Sequence, residues 1–182
     1  GITFESLRSQ GGQKLNLPER WIPHAEGNFK TASGKCHLYD EEQEQAVPDY
    51  LPYSYSEQQQ KEYPLQLLTL KTPRYLLNSS HANVDHILEK EGDFYLDIHP
   101  SDALSREIDT GDALEVFNTR GRVSITARIS TRVTPGVVCM PQGFWPSKLK
   151  GGASANALTD DLLTDMGRGG AIQEARVEVL KV

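Results

Sequence analysis

The chain has 182 residues, a hydrophobic share of 37%, a formal net charge of −6 and only two cysteines. The acidic balance, with no basic stretch to displace counterions, argues against nucleic acid as a partner. Cys36 and Cys139 stand far apart without a CxxC knuckle, so neither a disulfide-stapled mini-domain nor a cysteine zinc site is expected, and both thiols read as reduced packing residues. No apolar run approaches the roughly 18–20 residues of a membrane span.

Residues 1–62 carry few apolar runs. They hold Gly11-Gly12 and two polar tracts, Asp40–Gln45 and Ser56–Glu62. This stretch reads as an extended arm lying on something else, or as disorder, with one weakly alternating piece at Lys35–Tyr39. It is expected to be less ordered than the remainder. The start, Gly1-Ile2-Thr3-Phe4, has no basic n-region and reads as the beginning of a fragment.

From Tyr63 the pattern sharpens. Leu65–Leu70 reads as a short buried strand ended by Lys71-Thr72-Pro73, and Phe94–Ile98 as a second after an acidic loop at Glu89–Asp93. Pro100 opens a short helix through Arg106, with Asp102 favourable to its dipole. Asp109–Asp112 reads as a tight turn. Ala113–Asn118 and Val123–Ile129 alternate as the arms of a hairpin turned by Thr119–Arg122. Thr134-Pro135-Gly136 leads into Val137–Met140. Residues 141–172 are glycine-rich and irregular, with a helical turn expected at Leu158–Leu163, and Ala175–Leu180 closes the chain as an alternating strand. About six short, closely linked strands favour a small closed barrel over a doubly wound sheet.

Three stretches together resemble the molybdopterin dinucleotide-binding domain of the molybdopterin oxidoreductase (dimethyl sulfoxide reductase) superfamily. They are His99–Ala103 running on to Ile108–Asp112; Val116–Gly121 with Thr134–Val138; and Asn156–Thr159 followed by Asp165 and the closing strand. Phe29–Lys35 and Pro48–Pro52 resemble the segment that precedes this domain in family members. The resemblance implies a mainly β fold, a six-stranded double-psi β-barrel with short helices over 63–182, and an irregular N-terminal arm over 1–62 that is the tail of a preceding domain.

It also implies a function: binding molybdopterin guanine dinucleotide with molybdenum or tungsten, as the C-terminal cofactor-binding domain of a larger bis-pterin oxidoreductase. The metal ligand, and in some members a [4Fe–4S] centre, would lie upstream. Upstream domains of the same polypeptide would be its partners, with a redox partner subunit in prospect, and the fragment is not expected to turn over alone. The cytoplasm is the expected compartment, with the periplasm as the alternative, since any export signal would precede this stretch.

The cofactor demands donors for phosphate oxygens and polar edges for the pterin. Thr69, Lys71, Arg74, Asn78, Ser79, Ser80 and His81, on and after the first strand, offer cations and hydroxyls suited to phosphate. By position, the resemblance gives Lys71, Arg74, Ser79, Ser80 and His81 the pterin and pyrophosphate contacts. The alternatives are solvated loop charges and, for Ser79-Ser80, a helix N-cap. Asn156 matches an asparagine that meets the pterin in the family. An amide suits that edge because it both donates and accepts, and a helix cap is its other reading. Gln142, Phe144 and Trp145 follow the strand ending at Met140, where barrel-end packing competes with cofactor contact. His81 and His86 have the wrong spacing for one helical face, and no zinc constellation or Ser-His-Asp arrangement emerges. A rival of another class is a stand-alone double-psi barrel serving as a protein-interaction or substrate-recognition module, since one fold hosts unrelated functions. The arm discriminates: a free-standing module has little need of it.

Overall fold

The computed structural model describes residues 1–42, 46–47, 49–50, 55–71, 74–76, 78–164 and 167–182. Asp165, most of Pro48–Pro52 and the Thr72-Pro73 strand end lie outside the described residues. The chain divides into two compact units, Gly1–Val47 and Pro48–Val182.

The first unit buries none of its described side chains. Its one helix among the described residues, α1 (Phe4–Gln10), forms because Thr3 and Ser6 make a reciprocal capping box and Gly11 adopts the left-handed conformation that ends it. Further on, His24 stacks on Phe29 at 4.4 Å, and a turn closes with Gly34 donating to the Thr31 carbonyl at 3.0 Å. The weak alternation at Lys35–Tyr39 forms no strand, because those residues have no partner strand and no buried face. Cys36 is exposed, so the expectation of a packing thiol fails there and holds only for buried Cys139.

The second unit begins with α2 (Glu57–Glu62), capped by a Ser56–Gln59 box and lying beside the last strand. Six strands follow: β1 (Leu65–Lys71), β2 (Tyr95–Ile98), β3 (Ala113–Phe117), β4 (Arg122–Ile129), β5 (Val137–Gln142) and β6 (Arg176–Lys181). They close into a barrel in the order β1-β5-β2-β4-β3-β6. The β1/β5 and β2/β4 pairs are parallel and the others antiparallel. Exchanging β1, β2 and β3 for β4, β5 and β6 reproduces the same neighbours, so the barrel has a topological two-fold. This is a double-psi β-barrel.

Alternation drives it. Leu65 and Leu67, Leu114 and Val116, Val123 and Ile125, and Val177 and Val179 all point inward to one core with Leu96, Ile98 and Met140. Burying each such side chain contributes about 1.5–3 kcal/mol against the entropy of ordering it. Between β2 and β3, helix α4 (Pro100–Leu104) has Pro100 at its first position, capped by His99. Asp102 does more than face the dipole: its Oδ2 accepts from the Gly136 amide at 2.7 Å, fixing the turn that enters β5.

Two local expectations shift. Glu89–Glu91 is not loop but the end of α3 (Asp85–Glu91). The helical turn placed at Leu158–Leu163 sits earlier, as a 3-10 turn at Ala155–Ala157, while Leu163 bridges Gly170 in a small antiparallel contact. Ala155 and Leu158 anchor that turn in the core, which decides its position over local propensity. No helix among the described residues is long and apolar enough to cross a membrane.

Candidate functional site

The parallel register of β1 and β5 sets Lys71 opposite Gln142, so both strands leave the barrel at the same rim. The segments that follow them meet there. Gly143, at φ +98°, comes so close to Asn78 that a Cβ on it would stand 2.3 Å from the Asn78 carbonyl oxygen. The Trp145 Nε1–H donates to the Ser79 carbonyl at 2.9 Å, and Lys148 Nζ reaches Asp85 Oδ1 at 2.7 Å. Beneath them Phe144 is buried with Leu76 and Ala82 in a second apolar cluster, its ring 5.1 Å from that of Phe94.

A third wall comes from the Ala155–Ala157 turn. Gly121 lets it close in, since a Cβ there would lie 2.8 Å from the Ala157 carbonyl oxygen. The three segments enclose a groove of about 460 Å³ whose polar lining includes Asn78, Ser79, Gln142, Ser154 and Asn156, with Phe144 and Trp145 as apolar walls. Three amide-bearing and two hydroxyl-bearing residues thus line one concavity, a donor-and-acceptor set suited to the edge of a polar heterocycle.

Of the residues singled out in the sequence, Asn78, Ser79, Gln142 and Asn156 are brought together here. Asn156 does not cap the 3-10 turn; Ser154 holds the N-cap position and Asn156 is exposed within the turn. Ser79 and Ser80 cap nothing either, because α3 starts after Val84 with no side-chain cap. Ser80 is exposed without lining the groove, and His81 Nδ1 sits 3.3 Å from the Tyr75 carbonyl oxygen.

Lys71 and Arg74 line an adjoining depression of about 150 Å³ with Asp97, Arg128 and Arg132, and Phe144 is shared by both concavities. Here Arg128 forks onto Asp97, one contact being 2.6 Å, and lies 3.5 Å over the Tyr95 ring. The hydrogen bond to Asp97 holds the guanidinium pKa above its ordinary value. That charge is therefore committed, whereas Lys71, Arg74 and Arg132 form no ion pair among the described residues. Burial, and then the nearby Asp97 charge, push the Cys139 thiol up at the edge of this depression.

Thr69 lies apart. It is buried at 2% exposure, and Gln173 grips it: the Thr69 amide donates to Gln173 Oε1 at 2.9 Å, while Gln173 Nε2 donates to the Thr69 carbonyl at 2.9 Å. Sequence reasoning missed Gln173, Gly143 and Arg132. Only Gly143 carried a signal, as a glycine directly after a strand, where backbone approaches closely.

The closed double-psi barrel thus carries an amide-lined groove at one rim and, beside it, a depression where Lys71, Arg74, Arg128 and Arg132 stand among Glu91, Asp93 and Asp97. The sequence profile of the molydopterin dinucleotide binding domain matches residues 65–176, from β1 to the start of β6, and the chain belongs to that family. The chain is 32% identical to the probable oxidoreductase YoaE of Bacillus subtilis over 186 residues, covering 100% of this chain and 26% of that protein. It is 32% identical to the dimethyl sulfoxide reductase DmsA of Escherichia coli over 209 residues, covering 99% of this chain and 25% of that one. Among solved structures, acetylene hydratase from Pelobacter acetylenicus superposes with a TM-score of 0.64 at 20% identity, covering 84% of this chain and 24% of that one. The chain thus spans about a quarter of the length of these curated relatives.

Proposed function

We propose that this chain is the C-terminal cofactor-binding barrel of a larger molybdenum or tungsten bis-pterin oxidoreductase, and that the groove and depression divide its cofactor, molybdopterin guanine dinucleotide, between them. The observation that carries this reading is that Asn78, Ser79, Gln142 and Asn156, scattered along the chain, line one groove. The donor chemistry fits: amides can donate to ring nitrogens and accept from ring amino groups on one edge. Lys71, Arg74 and Arg132, which form no ion pair among the described residues, suit a pyrophosphate, even with Glu91 and Asp93 lining the same depression. Phe144 lines both concavities, so a single ligand reaching from one to the other would pass this residue.

When bound, the pterin dithiolene carries the metal that performs two-electron redox chemistry. This chain's residues orient the pterin edge and neutralise phosphate charge. The metal ligand, any [4Fe–4S] centre and the substrate funnel belong to upstream domains, its main partners, and electrons would pass to a redox partner subunit. That the Escherichia coli and Bacillus subtilis relatives are about four times as long supports the division of labour.

The test uses the intact polypeptide made in cells that synthesise the cofactor. Pterin per chain is measured by fluorescence after acid oxidation. Asn156→Ala combined with Gln142→Ala should lower it several-fold, while the cofactor-free polypeptide keeps its thermal midpoint because neither side chain belongs to the core. Full pterin occupancy in the double variant would remove the groove as the cofactor site.

A further inference from the structure

We propose that Trp145 is a positioning residue: it latches the Asn78–Ser79 lip of the groove to the Gly143–Trp145 lip, and so sets the spacing at which the amides face one another. The proposal rests on the cofactor reading above for its purpose, but on geometry for its substance.

The Asn78 lip is not self-supporting. Asn78 sits at φ +52°, in the left-handed region that a non-glycine residue holds only when its surroundings enforce it. The residues around it are exposed from Asn78 through His81, so their own burial cannot supply that enforcement. Three consecutive residues across the groove can. Gly143 permits backbone contact where any side chain would strike the Asn78 carbonyl. Phe144 is 7% exposed and anchors its segment in the cluster with Leu76 and Ala82, on either side of the lip. Trp145 then spends the single donor of its indole on the Ser79 carbonyl at 2.9 Å.

Trp145 is itself 43% exposed, and that divides its duties from those of Phe144. A tryptophan kept for packing would be more deeply covered. Here the ring forms groove wall while the N–H donates a direct hydrogen bond across the lips. Lys148 and Asp85 make a second tie farther along the same two segments, at 2.7 Å, but Asp85 is fully exposed, so solvent weakens that ion pair. Of these two ties, the indole bond is therefore the stronger constraint on the lip.

The test compares the 182-residue chain with its Trp145→Phe and Trp145→Ala variants, using amide hydrogen exchange and binding of 6-carboxypterin. Phenylalanine keeps an aromatic wall and deletes only the donor. Losing one net hydrogen bond should speed exchange in the Ser79–Ala82 turn, read at the Ala82 amide that donates to the Ser79 carbonyl at 3.3 Å, by roughly 2- to 12-fold, with strands β1 and β5 unchanged. Pterin affinity should fall by a similar factor, and Trp145→Ala should fall further. Unchanged exchange at Ser79–Ala82 in Trp145→Phe overturns the latch. Faster exchange with unaltered pterin affinity overturns its positioning role. If the wild-type chain binds no pterin, the cofactor reading and the functional half of this proposal both fall, and the exchange result alone decides whether the latch exists.

Discussion

The Asn118 side chain joins three parts of the barrel that are remote in sequence: its Nδ2 donates to the Leu158 carbonyl at 2.8 Å and to the Arg176 carbonyl at 3.0 Å. Its Oδ1 accepts from the Arg120 amide at 2.9 Å, shaping the turn between β3 and β4. One amide thus ties the hairpin tip to the groove's third wall and to the start of β6. Asn118→Ala leaves two partly buried carbonyls and a turn amide without their partner, and should destabilise the chain by about 2–4 kcal/mol. The urea midpoint should fall with an unchanged slope. A shift smaller than that of an ordinary surface substitution would show that water replaces the amide.

Gly143→Ala tests the lips from the other side. The substitution adds strain at a positive φ, about 1–3 kcal/mol, and forces the Asn78 carbonyl away from a position 2.3 Å from the new methyl carbon. Both the thermal midpoint and 6-carboxypterin affinity should drop. An alanine variant that binds the pterin as well as wild type would mean the groove does not depend on this contact.

The two thiols should separate cleanly. Cys36 is exposed, whereas Cys139 is buried and its thiol is pushed up first by desolvation and then by Asp97. Thiolate is the reactive form, so at mildly alkaline pH the folded chain should take up one equivalent of iodoacetamide at Cys36, and the second only in denaturant. Peptide mapping that finds Cys139 modified at a comparable rate in the folded chain would contradict its burial.

Charge pairs give a pH signature. The hydrogen bond from Lys181 holds the Asp112 carboxyl below its ordinary value, and that from Lys148 does the same for Asp85. A depressed carboxylate contributes stability that is present above its unfolded pKa and lost as pH falls through the folded one. Lys181, raised chiefly by Asp112, contributes stability present below its unfolded pKa and lost as pH rises through the folded one. Asp112→Asn should therefore lower the melting temperature slightly near neutrality, with the difference closing below the ordinary carboxylate range and above the ordinary lysine range. A gap that persists in strong acid would point to the Asp109 amide contact instead.

Local pattern made much of this barrel legible. β3, β4 and β6 alternate between buried and outward positions, and a period of two with one buried face is written directly into the order of residues. Pro100 marked a helix start because its missing N–H costs nothing there. α3 was missed for the opposite reason: it has no capping hydrogen bond at Val84 and buries no residue, so its charged run looked like a loop. α1 is hidden because its capping box uses Ser6 in place of the usual Glu or Gln, and α2, despite a regular Ser56–Gln59 box, is polar throughout and buries no residue, so no apolar period marks it.

The sequence by itself determined the strands, the hairpin and the family to which the barrel belongs, because each rests on neighbours close in the chain or on the order of short motifs. Only the tertiary structure decided that Asn78, Gln142 and Asn156 share a groove while Lys71 and Arg74 face a separate depression and Thr69 is held by Gln173. Parallel pairing of β1 with β5 brings together segments separated by most of the barrel, and no local periodicity encodes which strands will pair. Closure of the sheet selects those partners, and the groove exists where the two chain exits are forced to the same rim.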